Sequence, residues 1–519
     1  MTEAAIGIRG AAESPPPLPL STSAAQPEKS TQSLAREVLR ARESIAREAD
    51  HILQGWRKTI TLAEFLPSAS NLASYLALRS HDLSELQPAL SALGLSSLGR
   101  CEGHVMANLD AVAAALTRIC GAGAAAFPDA DLWAEGERRL DAQRRALFGR
   151  DKDSTSIMVT LPSEAATDTD FVESLIAAGM DCARINCAHD NAPAWAQMAG
   201  NVRAAAKELG RDCRILMDLP GPKCRVETLS PEKPEHLHVG DRLRLALAPR
   251  HIGLDELPVL TISFPEVVAR LPVGARVWID DGKIRGRVAA IEGSDRIVEV
   301  TGAREKGEKL RLEKGVNFPG TPLGLPALSA EDVAALPAVA SHADLVGFSF
   351  VQRPQDILDL DKAIEAVRPG HPVMPLVLKI ETPEAVSNLP RLIVQAAGTR
   401  PTAVMIARGD LAVELGHPRL AEIQEEILWL CEAARVPVVW ATQVLDELVK
   451  DGLPSRAETT DAAMAQRAEC VMLNKGPHIT DAIRFLSDMT GRMGRHQNKK
   501  SPRLGALHSW PLETLGISA

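Results

Sequence analysis

The spacing of hydrophobic positions changes near residue 154. Upstream, from about 33 to 149, apolar residues recur three and four apart, as in SLAREVLRARESIAREADHIL and CEGHVMANLDAVAAALTRIC. That period buries one stripe of a helix, so it predicts an all-helical segment. Residues 62–95, rich in Leu and Ala, fit the same pattern, and the acids, histidines and arginines of the segment are scattered as on solvated helix faces. Downstream, short continuous apolar runs alternate with helix-spaced stretches. The runs are 157–161, 182–186, 214–219, 344–350, 376–381, 403–410, 436–443 and 470–474, eight strand candidates. Between them, 170–178, 194–209, 330–340, 355–367, 383–397 and 420–434 have helical spacing. Strand–helix alternation predicts a parallel sheet covered by helices. Eight such units predict an α/β fold, a closed (β/α)8 TIM barrel. A doubly wound open sheet is the architectural alternative, but no GxGxxG follows the first strand, which weakens a dinucleotide-binding reading.

One connection departs from the alternation. About 120 residues, roughly 221–342, separate the third and fourth strands. Within them HVGDRLRLAL, ARVWIDDGKIRGRVAAI and DRIVEVTG alternate as strands do, and Asp281-Gly282 marks a hairpin turn. The spacing predicts a small β-barrel inserted on the C-terminal side of the large one. Barrel enzymes carry their chemistry on that face, so the insert is expected to act as a lid.

Composition narrows the class. The chain has 519 residues, 45% hydrophobic and 24% charged, as in a soluble globular protein of roughly three domains. A net charge of −9 disfavours non-specific binding to nucleic acid or to an acidic membrane. No apolar run reaches the roughly 18–20 residues of a spanning helix, and the opening MTEAAIGIRG lacks the signature of a secretory signal. Eight cysteines without a CxxC pair are too sparse for a disulfide scaffold, so reduced thiols in a cytoplasmic protein are expected. Residues 1–32, with Pro15-Pro16-Pro17, read as a disordered or extended tail.

Candidate chemistry sits where predicted strands end. Arg184 and Asn186 close the second strand, Asp218 the third, Lys379 and Glu381 the fifth, Arg408-Gly409-Asp410 the sixth, and Thr442-Gln443 the seventh. Lys379 and Glu381 are two apart, so their side chains share a face. Taken alone, that is a simple ion pair. With Asp410 at the next strand end, the two carboxylates suit a hard divalent ion, which takes one or two carboxylates plus phosphate oxygens and water. Arg184 and Lys379 supply positive charge for a phosphate. Gly409 lets backbone N–H groups approach an anion at a turn feeding a helix. The set asks for a small phosphorylated anion and a metal.

Five stretches resemble the pyruvate kinase family: LIAAGMDCARINCAHD; ILMDLPGPKCR; KGVNFPGTPLGLPALSAEDV; LKIETPEAV with IARGDLAVELG; and VWATQVLDELVKDGLPSRAETTDAA. WIDDGKI in the insert resembles the family's lid, and the likeness runs from about 154 to 493 in the family's order. The resemblance implies phosphoryl transfer between phosphoenolpyruvate and ADP, giving pyruvate and ATP, in glycolysis. It implies Glu381 and Asp410 as ligands of Mg2+ or Mn2+, and Lys379 beside the transferring phosphoryl group. It implies Arg184 on the phosphate, and Gly409, Asp410 and Thr442 on the substrate carboxylate, with Thr442 near the proton path. Asn186, His189 and Lys314 match positions around the nucleotide phosphates. A homo-oligomer is expected.

The chain also departs from the family. The family serine that helps bind potassium is Ala188, and its Gly-Pro-Glu is Gly221-Pro222-Lys223. Members with lysine there do not need K+, so Lys223, paired with Asp218, is expected to substitute for the monovalent cation. The usual Ser-Gly-Glu-Thr after the eighth strand is Asn474-Lys475-Gly476-Pro477, which puts the geometry of that rim in question. The family's C-terminal domain, with its sugar-phosphate effector site, is expected to be missing. The expected organisation is a tail at 1–32, a helical extension at 33–150, the barrel at 151–223 and 321–497, the β lid at 224–320, and a tail at 498–519. Two other functions remain open at this point. One is a Mg2+-dependent lyase or aldolase acting on pyruvate-like enolates. The other is a non-catalytic descendant that binds nucleotide or protein.

Overall fold

The computed structural model describes residues 30–149, 155–232, 236–250, 257–370, 372–499 and 501–502. The tail expected at 1–32 therefore lies almost wholly outside the described residues, and the first helix begins within it at Thr31. The extension is helical throughout: α1 (Thr31–Trp56), α2 (Leu66–Ser80), α3 (Leu86–Ala92), α4 (Val105–Ile119) and α5 (Asp131–Phe148). Buried Leu34, Val38, Ile45 and Ala49 mark the stripe of α1 that its spacing predicts, and this stripe faces α2 and α4.

Eight parallel strands close a barrel. They are β1 (Ser156–Thr160), β2 (Cys182–Asn186) and β3 (Arg214–Leu219) before the insert. The insert contributes β4 (Val226–Ser230), β5 (Arg242–Leu245), β6 (Val259–Ile262), β7 (Arg276–Ile279), β8 (Ile284–Glu292), β9 (Asp295–Gly302) and β10 (Val316–Asn317). After it come β11 (Leu345–Phe348), β12 (Leu376–Ile380), β13 (Thr402–Ala407), β14 (Val438–Ala441) and β15 (Cys470–Leu473). Neighbours around the barrel follow sequence order, and β15 pairs with β1, so the open-sheet alternative is excluded. Every residue of β12, β13, β14 and β15 is buried, which explains why these strands read as unbroken apolar runs rather than alternating ones.

The covering helices are α6 (Thr169–Ala178), α7 (Ala192–Glu208), α9 (Ala330–His342), α10 (Pro354–Val367), α11 (Pro383–Ala397), α12 (Arg408–Leu415), α13 (His417–Ala434), α14 (Asp446–Asp451), α15 (Arg456–Ala465) and α16 (Ile479–Met493), with α8 (Pro265–Arg270) in the insert. Four of these helices start on side-chain caps at Asn191 and Thr382 and on the capping boxes Ser329/Asp332 and Ser455/Glu458. The sixth predicted run, 403–410, is shorter than expected. The strand stops at Ala407, and Asp410 lies in the first turn of α12.

The insert is a seven-stranded sheet in the order β10-β7-β8-β9-β5-β6-β4. A bridge between Arg225 and Gly315 brings its two edges together, so it is nearly closed. The β7–β8 hairpin turns through Asp280, Asp281 and Gly282, all at positive φ. Strands β4, β6 and β10 carry weak alternation and were not anticipated. At the other end of the molecule, β16 (Gln497–Asn498) and β17 (Ser501–Pro502) form a short hairpin.

The helical extension packs on the barrel. Asn71 of α2 donates to Glu102 O at 2.6 Å and to Ala433 O of α13 at 2.9 Å, and it accepts from Val105 N at 3.0 Å. The backbone N–H groups of Thr61 and Leu62 both donate to Gly398 O beyond α11. Leu147 and Phe148, at the end of α5, are fully buried in one cluster with Met158, Cys182, Leu216, Leu345, Val377 and Met405 from the barrel strands. The extension thus supplies the floor of the barrel.

Candidate active site

Alternation along each strand sorts the barrel interior into layers. Val377 and Lys379 share one face of β12, Leu216 and Asp218 one face of β3, and Cys182 and Arg184 one face of β2. The first member of each pair lies in the apolar floor cluster or beside it, and the second lies at the C-terminal rim. Buried charges therefore collect at one end of the barrel.

Asp218 is the hub and is fully buried. Its Oδ2 accepts from Arg184 Nε at 2.7 Å and lies 3.2 Å from Lys379 Nζ. Arg184 also donates to Thr160 Oγ1 at 2.9 Å. Lys379 donates to Ser349 Oγ at 2.5 Å and lies 3.4 Å from Glu381 Oε1. Ser349 passes the chain on to Leu219 O at 2.6 Å. Burial alone would discharge Lys379. The charges of Asp218 and Glu381 outweigh it and raise the ammonium above its ordinary pKa. Burial would likewise protonate Asp218, but Lys379 and Arg184 hold its carboxyl below the usual range.

Glu381 is pushed the other way. Burial and then the nearby Asp410 charge raise its pKa, against the pull of Lys379. Its Oε2 accepts from Phe350 N at 2.6 Å, a donor aimed by the left-handed φ of 53° at Phe350. Two close approaches shape this corner. A Cβ on Gly347 would lie 2.5 Å from Asp218 Oδ1, and one on Gly221 would lie 2.9 Å from Ser349 and Phe350.

Asp410 and Glu381 are brought to the same rim, as expected. Lys223 is placed differently from expectation. Its Nζ lies 2.7 Å from Asp410 Oδ1, while Asp218 is occupied by Arg184 and Lys379. The physical reason is access. Asp218 is sealed in the barrel, whereas Lys223 enters from the hinge of the insert, its stem against Gly315. Thr442 and Gln443 follow β14 in a loop rather than ending it, with φ of 74° and 55°, and Leu445 has φ of 51°. A β-branched residue in that region carries about 1–3 kcal/mol of strain. Thr442 lies directly on Gly409, where an added Cβ would meet its Cγ2 at 2.8 Å.

The expected nucleotide-side residues are spread along the rim and the insert. Asn186 caps its own loop by accepting from Ala188 N at 3.2 Å. Lys314 lies 3.4 Å from Asp280 in the insert hairpin. His189 is exposed, and its pKa is lowered by partial burial and then by the charges of Lys475 and Arg225. Lys475 and Arg225 were not singled out from sequence, nor were Ser349, Gly347 and Phe350. A serine and a glycine in an apolar strand carry no chemical signal of their own. Lys475 was visible only as part of an altered loop, which packs on α14 through Gly476 against Val449.

The rim fits a divalent cation. Two carboxylates share it: burial and then the charge of Asp410 raise the pKa of Glu381, and a lysine pairs with Asp410. Among the described residues no cluster of three or more His, Cys, Asp or Glu could hold a metal by itself. Mg2+ typically takes one or two carboxylates and completes its shell with substrate oxygens and water.

A family model described as pyruvate kinase, barrel domain, matches residues 152–477. Among curated proteins, a pyruvate kinase of Geobacillus stearothermophilus is 32% identical over 66% of this chain and 57% of its own length. The human pyruvate kinase PKLR is 31% identical over 69% of this chain and 62% of its own. A pyruvate kinase of Mycobacterium intracellulare is 34% identical over 62% of this chain and 66% of its own. The matched segment thus spans somewhat less than two thirds of each of these relatives.

Proposed function

The chain belongs to the pyruvate kinase family, and from that premise we propose that it transfers the phosphoryl group of phosphoenolpyruvate to ADP, using Mg2+ or Mn2+ and no K+. The observation that carries the proposal is Lys379, an ammonium buried at the barrel rim yet kept charged by Asp218 and Glu381. In the transfer, the bond from phosphorus to the enol oxygen breaks and one to a terminal oxygen of ADP forms. The enolate left behind takes a proton at its methylene carbon to give pyruvate. Such chemistry asks a protein mainly to position and neutralise. Lys379 neutralises charge on the group in transit. Arg184, fixed by Asp218 and Thr160, lends its charge to the phosphate. The turn at Gly409 and Asp410, with the Thr442 hydroxyl, receives the substrate carboxylate and lies on the proton's route.

Glu381 and Asp410 would hold the divalent cation, which when bound supplies positive charge to the enolpyruvate and phosphoryl oxygens. Lys223, beside Asp410, supplies a permanent ammonium in place of a monovalent cation. Asn186, His189 and Lys314 receive the nucleotide phosphates, with Lys475 and Arg225 adding charge beside His189. The division of the chain at 33–150, 151–223 with 321–497, and 224–320 is part of the same reading, as are a cytoplasmic location and a homo-oligomer. The test is pyruvate formation from phosphoenolpyruvate and ADP with Mg2+, in K+-free buffer and then with K+ added. The proposal predicts turnover that chelation abolishes and K+ leaves within about twofold. Absence of turnover sinks the kinase reading, and a many-fold rise with K+ sinks the role of Lys223.

A further inference from the structure

Three of the four residues between β14 and α14 have positive φ, and none is glycine. Something must hold them there. Val444 and Leu445 are buried and anchor the far end of the loop. The near end is held by Arg408, the first residue of α12. Its Nε donates to Ala441 O at 2.8 Å and its Nη2 to Thr442 O at 2.7 Å. The same guanidinium is fixed from behind. It forms a two-pronged pair with the Asp461 carboxylate on α15, and it lies over the Trp440 indole at 4.6 Å. A planar fork with a carboxylate on one edge and two carbonyls on the other has little freedom to turn. Lysine offers neither that geometry nor that number of donors.

We infer that Arg408 is a positioning residue, which holds Thr442 left-handed with its side chain packed on Gly409, beside the Gly409–Asp410 turn. Arg408 thereby ties the loop after β14 to the turn after β13, and Asp461 sets its angle. The inference rests on the proposed role of Thr442 for its catalytic consequence, but its geometric half stands apart from activity. Without the two bonds to carbonyls, the strained Thr442 relaxes to negative φ and its methyl leaves Gly409.

The first test is a crystal structure of Arg408→Met, in which Thr442 is expected at negative φ. Thr442 remaining near its present φ overturns the inference, whether or not the protein turns over phosphoenolpyruvate. The second test is a double-mutant cycle with Thr442→Ala, reading kcat and KM for phosphoenolpyruvate. Arg408→Met is expected to lower kcat at least about tenfold in the wild-type background and less than about twofold when Thr442 is already alanine, with KM nearly unchanged. Effects that multiply show that Arg408 acts independently of Thr442 and overturn the inference. Should Arg408→Met fail to fold, Asp461→Asn keeps the arginine and loosens its anchor. It is expected to lower kcat about threefold with Thr442 present and not at all without it, and an equal fall in both backgrounds is the contradicting result.

Discussion

Gly347 faces Asp218 across the β3–β11 pair, and a methyl group there would sit 2.5 Å from a carboxylate oxygen. Asp218 can yield only by straining its bonds to Arg184 and Lys379. Gly347→Ala is therefore expected to cost about 1–3 kcal/mol of stability, as overpacking does. It should also lower kcat more than it raises KM, because the displaced carboxylate disturbs Lys379. A thermal melt together with steady-state kinetics checks both. This residue shows the limit of the sequence. Lys379, Glu381 and Asp410 stand out as charges at the ends of apolar runs, and their convergence on one rim was legible from spacing alone. Gly347 and Ser349 lie inside such a run and become meaningful only when β3 and β12 flank them. The partner of Lys223 was equally out of reach, because it depends on how the hinge of the insert lies over the barrel.

Among the elements, the joint between the helical extension and α13 carries its own chemistry. His104, just before α4, packs on Trp133 with ring centroids 4.1 Å apart and the rings tilted by 48°. Its pKa is lowered to about 4, by burial and then by the neighbouring Arg435. An imidazole that resists protonation when folded, but not when unfolded, loses stability as pH falls from about 6.5 toward about 4. The full loss is on the order of 3 kcal/mol, and lower pH adds nothing further. Hydrogen exchange across α4 and α5 is expected to rise over this window in the wild type and much less in His104→Gln. Equal pH dependence in the two proteins would contradict the assignment. Elements as such were the most legible level. All eight barrel strands and their main helices fall close to the runs read from spacing. Strands β4, β6 and β10 escaped, being short and held by pairing with neighbours rather than by a pattern of their own.

For the whole molecule, the extension is part of the barrel's architecture. Leu147 and Phe148 fill the floor beneath the charged rim, and α2 covers α13. Phe148→Ala is expected to destabilise the barrel by about 3–5 kcal/mol, as large-to-small changes in a packed core do. Deleting residues 30–149 should leave a barrel that aggregates, because both the floor and the outer face of α13 become exposed apolar surface. A deletion that stays soluble and melts at the wild-type temperature would show the extension to be an independent appendage. The sequence announced the helices of this segment but not their site, since an amphipathic stripe does not say which surface it covers.

A charged lysine, Lys379, sits at the rim of this pyruvate kinase family barrel. The most direct test follows phosphoenolpyruvate and ADP by 31P NMR in the presence of Mg2+, with wild type and with Lys379→Met shown to be folded by circular dichroism. The prediction is that ATP phosphorus signals grow with the wild type and that the variant is slower by about a thousandfold or more, the scale expected when a charge aimed at the transferring group is removed. A wild type that leaves phosphoenolpyruvate intact, or a folded variant that consumes it at the wild-type rate, would contradict the account.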